Sequence, residues 1–114
     1  MISTNVYASD ITVVRPGEER LTAVNAKSFK EDVVALVDQG VSTLVIDFKD
    51  VSFLDSSGLG ALVGVLKKVG NRGELAVCGL NRDVEQMFRI CRMDRVFKIF
   101  PDAETAVQSI SARL

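Results

Sequence analysis

Histidine is absent from this 114-residue chain, and cysteine occurs only twice. Without an imidazole, the chain lacks the usual general base of hydrolases and the commonest metal ligand. Cys78 and Cys91 lie too far apart in sequence for a CxxC redox pair or a zinc site. We therefore expect buried, reduced, structural thiols and no metal or cofactor, and most hydrolase and metalloenzyme functions are disfavoured.

Long apolar runs and clusters of like charge are also missing. No stretch approaches the roughly 18 apolar residues of a membrane-spanning helix, and the opening segment MISTNVYASD lacks the regions of a signal peptide. The 14 basic and 15 acidic residues give a net charge of −1, without a basic cluster that would bind a phosphate backbone. We expect a cytoplasmic protein with no membrane insertion and no direct nucleic-acid binding.

Apolar runs and turn residues alternate along the chain, which predicts several short strands. The run over residues 43–46 is almost entirely apolar and ends at Asp47, a pattern typical of a strand buried on both faces of a parallel sheet. The other predicted strands are residues 6 and 8, 11–14, 20–22, 75–78 and 96–100.

Helical periodicity lies between these strands. The first predicted helix has Asn25 as N-cap and Gly40 as C-cap, and the second covers residues 57–69. Asn81 and Asp102 are predicted N-caps of a third and a fourth helix. The class is therefore α/β, with a mixed sheet of four to five strands, about four helices packed against it, and a single domain over residues 1–114.

The crevice of an open α/β sheet lies at the carboxyl ends of its strands, where the sequence places Ser57 at a helix start. Helix-start amides lack partners, so a phosphate on Ser57 would be tolerated there and would add about 1.5 to 2 negative charges. With Asp55 nearby, that charge would oppose a docking partner. A simpler alternative stays open, in which Ser56 or Ser57 is an ordinary N-cap.

Three glycines lie in the second predicted helix, at positions 58, 60 and 64. Glycine inside a helix is less stable than alanine by about 0.5–1 kcal/mol, so this density indicates a steric requirement. Their GxGxxxG spacing differs from the GxGxxG of dinucleotide sites. The segment LDSSG also lacks the first glycine of the GxSxG hydrolase motif.

The segment LVIDFKDVSFLDSSGLGALVGVLKKV closely resembles the central signature of STAS domains in anti-anti-sigma factors, also called anti-sigma factor antagonists. The resemblance continues through GELAVCGLNRDVEQMFRICRMDRVFKIFPDAETAV and covers residues 41–110 well. The first 40 residues match more loosely, because GEERLTAVN stands where the family has a Gly-Glu-hydrophobic-Asp pattern followed by Asn or Thr.

This resemblance implies partner switching by a protein that is not itself an enzyme and has no catalytic residues. The unmodified protein would bind an anti-sigma factor that is also a serine kinase, and phosphorylation of Ser57 would release it until a serine phosphatase resets the switch. The family's partner-binding positions correspond here to Asn25, Asp55, Ser56, Ser57, Gly58 and Leu59.

Two other functions stay open. Similar STAS domains occur as the small subunit of ABC-type lipid transport systems, where they bind and stabilise the transporter ATPase. Direct nucleotide binding at the edge formed by Asn25 and Ser57 is a further hypothesis, although the chain lacks a P-loop and a basic phosphate clamp. A weak homodimer is also left open.

Overall fold

The computed structural model describes residues 1–113, apart from the side chains of Ala8 and Arg72. Its strands are β1 (Ser3–Tyr7), β2 (Ile11–Arg15), β3 (Arg20–Leu21), β4 (Thr43–Asp47), β5 (Phe53–Leu54), β6 (Glu74–Cys78) and β7 (Lys98–Phe100). Its α-helices are α1 (Ala26–Asp38), α2 (Ser56–Val69), α3 (Arg82–Ile90) and α4 (Ala103–Arg113).

Five strands form the main sheet in the order β1-β2-β4-β6-β7, and β3 pairs with β5 in a separate two-stranded sheet. β1 runs antiparallel to β2, whereas the other neighbours in the main sheet are parallel. The predicted α/β class, with a mixed sheet of five strands and four helices, is therefore confirmed.

Helices cover both faces of the sheet, which explains why residues 44–46 of its central strand are all apolar. Successive strand side chains point to opposite faces, so Leu44 and Ile46 join the core with α1, α2 and α3, while Val45 packs beneath α4. All three side chains are 0% exposed. Each such burial contributes roughly 1.5–3 kcal/mol relative to exposure, and the predicted two-faced burial of this strand is confirmed.

Several predicted strand boundaries need correction, among them β3, which ends at Leu21 and not at residue 22. The last strand begins at Lys98 rather than at residue 96, because residues 93–95 form a 3₁₀ turn and Phe97 turns into the core beside Phe88. Ala8 lies outside β1, in a 3₁₀ turn of Ala8–Asp10. The segment between β4 and α2, where no strand was predicted, contains β5.

Helix ends differ from the sequence prediction in detail. α1 ends at Asp38 with Gln39 as C-cap, and the predicted C-cap Gly40 follows at φ +104°. The predicted caps of the later helices are confirmed, because Asn81 Oδ1 accepts from Val84 N (2.8 Å) and Asp102 Oδ1 accepts from Thr105 N (2.7 Å). The hydrogen bonding by Thr105 lowers the pKa of the Asp102 carboxyl. Among the described residues, no helix is long and apolar enough to cross a membrane.

Candidate functional site

The small sheet of β3 and β5 places the starts of α1 and α2 side by side. Its two strands are parallel, and each leads into one of these helices. At its end, Asp55 N donates to Leu21 O across 3.2 Å. Residues 22–25 and 55–57 therefore form one continuous surface, which we call the serine edge.

Asp55 is the N-cap of α2 and also binds the neighbouring loop. Its Oδ1 accepts from Gly58 N at 3.0 Å, and its Oδ2 accepts from Ala23 N at 3.2 Å. The helix begins at Ser56, one residue before the predicted start. The alternative in which Ser56 or Ser57 caps the helix is wrong, because the Asp55 side chain occupies that position.

Ser57 lies in the first turn of α2 and is exposed, as is Ser56. Within residues 1–113, neither hydroxyl makes a hydrogen bond to another side chain or to the backbone. Both hydroxyl groups are therefore accessible to a second protein. A negative group added here would lie beside the positive end of the α2 dipole.

Asn25 lies where a helix cap was predicted but does not cap α1 with its side chain. Instead, Asn25 Oδ1 accepts from Thr22 N (2.9 Å) and Nδ2 donates to Arg20 O (2.8 Å). These two bonds fold the loop between β3 and α1 back on itself. Asn25 is therefore half-buried and shapes the serine edge from within.

Val24 is an apolar side chain at this edge that the sequence prediction missed. A hydrophobic residue just before an N-cap commonly packs against the fourth helical residue, here Phe29. Val24 is instead 94% exposed, while Phe29 is buried. The signal was present in the sequence, but only the structure shows that the usual packing does not form.

Two of the predicted partner-binding residues face inward. The side chain of Leu59 is 4% exposed and belongs to the core. Gly58 is buried, and a Cβ at this position would lie 2.7 Å from Leu21 O and 2.8 Å from Leu54 Cδ1. Gly58 therefore allows α2 to approach β3 and β5 closely, which is the steric requirement that the sequence indicated.

The loop after β6 lies at the same end of the sheet, but it contacts the connection between β4 and β5. Asn81 Nδ2 donates to Ser52 O (3.2 Å), so residues 79–81 join the connection between β4 and β5. A shallow cavity of about 490 Å³ lies there, lined by Gly17, Glu18, Glu19, Lys49, Asp50, Val51, Ser52 and Asn81. Three carboxylates against one lysine disfavour a nucleotide phosphate.

A buried carboxylate paired with a partly exposed arginine lies at the end of the central strand. Asp47 is 4% exposed, and its Oδ2 lies 3.4 Å from Nε of Arg15. Its Oδ1 accepts from Lys49 N at 3.0 Å. Burial, followed by the negative charge of Asp47, raises the pKa of the Cys78 thiol to about 12. Cys78 is therefore a neutral, buried thiol. Both cysteines are free, but Cys91 is only half-buried, so the prediction of buried thiols is confirmed for Cys78 and wrong for Cys91.

The five-stranded mixed sheet and the serine edge define the chain as a STAS domain. The STAS domain family model matches residues 4–106, and the chain belongs to this family.

Several proteins similar to this chain are named as anti-sigma factor antagonists. The anti-sigma-B factor antagonist of Bacillus subtilis (strain 168) is 35% identical over 101 residues, which cover 88% of this chain and 90% of that protein. An anti-sigma factor antagonist from Mycobacterium paratuberculosis has a crystal structure with a TM-score of 0.82 and 26% identity, covering 97% of this chain and 95% of that one.

A more distant structure shares the fold alone. The phosphorylated form of the Bacillus cell fate determinant SpoIIAA has a TM-score of 0.72 and 17% identity, over 96% of this chain and 99% of that one.

Proposed function

We propose that this protein is an anti-sigma factor antagonist that works by partner switching at Ser57. In the unmodified state it binds an anti-sigma factor that is also a serine kinase. Phosphorylation of Ser57 releases that partner, and a serine phosphatase restores binding. The protein is the kinase's substrate and ligand rather than an enzyme, and it acts in the cytoplasm.

One observation carries this proposal: Ser57 is exposed in the first turn of α2, and its hydroxyl is not engaged as the helix cap. The capping bonds belong to Asp55. A phosphate can therefore be attached and removed without breaking a hydrogen bond that holds the helix. The charge change stays at the surface while the core is unchanged.

The proposed docking surface is the serine edge. Its contact groups are Val24, Asp55, Ser56 and Ser57, with Asn25 holding the loop in shape. We leave the side chain of Leu59 out of this surface because it lies in the core, and Gly58 contributes by letting α2 pack closely. An exposed valine beside exposed hydroxyls fits a partner that docks an apolar group here.

Phosphorylation changes the electrostatics of this surface. A phosphoserine carries about −1.5 to −2 charges near pH 7, close to the carboxylate of Asp55. A partner that docks an apolar or acidic group here meets a more negative surface than in the unmodified protein and loses affinity. Two proteins similar to this chain are named anti-sigma factor antagonists, which supports an anti-sigma factor as that partner.

The experiment is a binding titration of the cognate anti-sigma factor against the unsubstituted protein, Ser57→Ala and Ser57→Asp. We expect Ser57→Ala to bind with unchanged affinity and Ser57→Asp to bind at least about tenfold more weakly, a loss of about 1.4 kcal/mol. Ser42→Asp is a matched control, because Ser42 is also exposed but precedes β4 at the opposite end of the sheet. Equal affinities of Ser57→Ala and Ser57→Asp would contradict the switch.

Two further measurements separate the alternatives. Incubation with the kinase and ATP, followed by mass mapping, should place the phosphate on Ser57, and a phosphate on Ser56 would correct the site while keeping the mechanism. Affinity capture should recover an anti-sigma factor. Recovery of a transporter ATPase instead would favour the lipid-transport function and contradict our proposal.

A further inference from the structure

A groove between α1 and α2 opens directly beside Ser57. It has a volume of about 240 Å³ and is lined by Ala26, Lys27, Lys30, Ser57, Gly60 and Ala61. Residues three and four positions apart share one face of a helix. Ser57, Gly60 and Ala61 therefore face α1. The Ser57 side chain shares the groove with Lys27 and Lys30.

The groove is shaped around a lysine side chain. A Cβ at Gly64 would lie 2.6 Å from Cε of Lys30 and 2.9 Å from its Nζ. Gly64 therefore makes room for Lys30 to cross the surface of α2. At Gly60, nearer to Ser57, a Cβ would meet nothing within 4 Å. Among the described residues, the space over Gly60, between Ser57 and the Lys30 side chain, is thus open.

The charge of the groove is positive and uncompensated. Its lining contains Lys27 and Lys30 but no carboxylate. Across residues 1–113, neither ammonium lies within 4 Å of an acidic oxygen, whereas Lys68 at the other end of α2 pairs with Asp38 at 3.1 Å. Two lysines without an anionic partner therefore line the groove that contains Ser57, and the Lys30 ammonium lies near Gly64, roughly 10 Å along α2 from Ser57.

We infer that Lys27 and Lys30 bind the phosphate of phosphorylated Ser57 and hold it in this groove. The inference rests on the proposed function, because it takes Ser57 as the modified residue. A dianion over Gly60 gains charge-assisted hydrogen bonds from both ammonium groups. The bound phosphate then fills the groove and neutralises two positive charges that the unmodified domain presents to its partner.

The test uses protein with phosphoserine incorporated at position 57 during translation, so it needs neither kinase nor partner. The second ionisation of the phosphate, with a pKa of about 6 in the absence of neighbours, is followed by ³¹P NMR. Neighbouring cations favour the dianion and lower this pKa. We expect it to lie about 0.5–1 pH unit lower in the otherwise unsubstituted domain than in Lys27→Gln/Lys30→Gln.

Two more variants make the test specific. Lys67→Gln/Lys68→Gln also removes two positive charges, but from the far end of α2. These lysines lie about ten residues, or roughly 15 Å, beyond Ser57. This distance exceeds the Debye length of about 8 Å. We expect no change of the phosphate pKa there. Lys27→Arg/Lys30→Arg keeps both charges and should keep the low pKa, which also shows that substitution at these exposed positions is compatible with folding.

Equal phosphate pKa values in the Lys27→Gln/Lys30→Gln and unsubstituted proteins would overturn the inference. So would an equal shift in Lys67→Gln/Lys68→Gln, since the effect would then be one of overall charge. Either result leaves the partner-binding titration unaffected. Conversely, a failure of partner binding to respond to Ser57→Asp would remove the proposed function without changing the NMR result.

Discussion

The carboxylate of Asp55 joins the N-terminus of α2 to the amide of Ala23, which lies 32 positions earlier in the chain. The Asp55 Oδ2 accepts from Ala23 N at 3.2 Å while its Oδ1 accepts from Gly58 N at 3.0 Å. One side chain thus fixes both segments of the serine edge relative to each other. The residue beside the proposed phosphorylation site is first of all a structural clamp.

Asp55→Ala should lower the free energy of unfolding by about 1–2 kcal/mol, because it removes the helix cap and the bond to the neighbouring loop. Urea denaturation measures this change. Asp50→Ala is the matched control: Asp50 is exposed and forms no ion pair within residues 1–113, so its loss should change stability by less than about 0.5 kcal/mol. Similar losses in both variants would show that Asp55 is not a clamp.

Gly58→Ala and Gly60→Ala should have opposite effects on stability, although they lie two residues apart in one helix. At Gly58 a new Cβ would lie 2.7 Å from Leu21 O, a backbone atom, and we expect a loss of about 1–3 kcal/mol. At Gly60 the Cβ would meet nothing within 4 Å, so the higher helix propensity of alanine should add about 0.5–1 kcal/mol. Thermal unfolding of both variants tests the pair, and the same sign of change in both would contradict it.

Charge at position 57 should affect the fold only slightly. Ser57→Asp places a negative group near the N-terminus of α2, where the helix dipole favours it by about 0.3–1 kcal/mol, and Ser57→Lys should be disfavoured by a similar amount. Urea titrations at low ionic strength compare the two variants. If Ser57→Asp instead unfolds the domain or costs several kcal/mol, the switch would act through folding and not through docking.

The domain should lose stability in alkali because of Cys78. Burial and the nearby Asp47 raise the pKa of this thiol from 9.0 to about 12. Above about pH 9 the unfolded chain gives up the proton while the folded chain retains it, so the unfolded state is favoured increasingly as the pH rises. The contribution of Cys78 to the free energy of unfolding is intact below pH 9. Above that pH it falls by up to about 1.4 kcal/mol per pH unit, until the pKa of the folded state is reached.

Urea titrations between about pH 9 and pH 10.5 measure this loss. The free energy of unfolding of Cys78→Ala should fall less steeply with pH than that of the unsubstituted protein, whatever the absolute stability of the variant. Cys91→Ala retains the buried thiol and should decline as steeply as the unsubstituted protein. Identical slopes for all three proteins would show that another group causes any alkaline loss.

The sequence predicted the elements whose signals are local. The apolar run ending at Asp47, and the caps Asn81 and Asp102, depend on residues within a few positions of each other, and all three lie where expected. The position of Ser57 near a helix start depends on the same kind of signal. Such signals also predicted the α/β class, because they give the order of strands and helices directly.

The features that the sequence did not reveal depend on distant parts of the chain. β5 has only two residues, and it exists as a strand because it pairs with β3. Phe97 belongs to a strand by its pattern, yet it turns into the core, where its ring lies 6.0 Å from that of Phe88. The lysine groove likewise requires α1 to pack beside α2, and no local pattern places Lys27 next to Ser57.

The pairing of β3 with β5 has a thermodynamic consequence for association. Both loops of the serine edge emerge from one small sheet and are bound to each other by Asp55, so their conformational entropy is lost during folding. A partner then meets a surface that is already ordered, and association avoids the cost of immobilising two free loops. Binding at this edge is accordingly the docking of preorganised surfaces, in which little of the binding free energy is spent on ordering the protein.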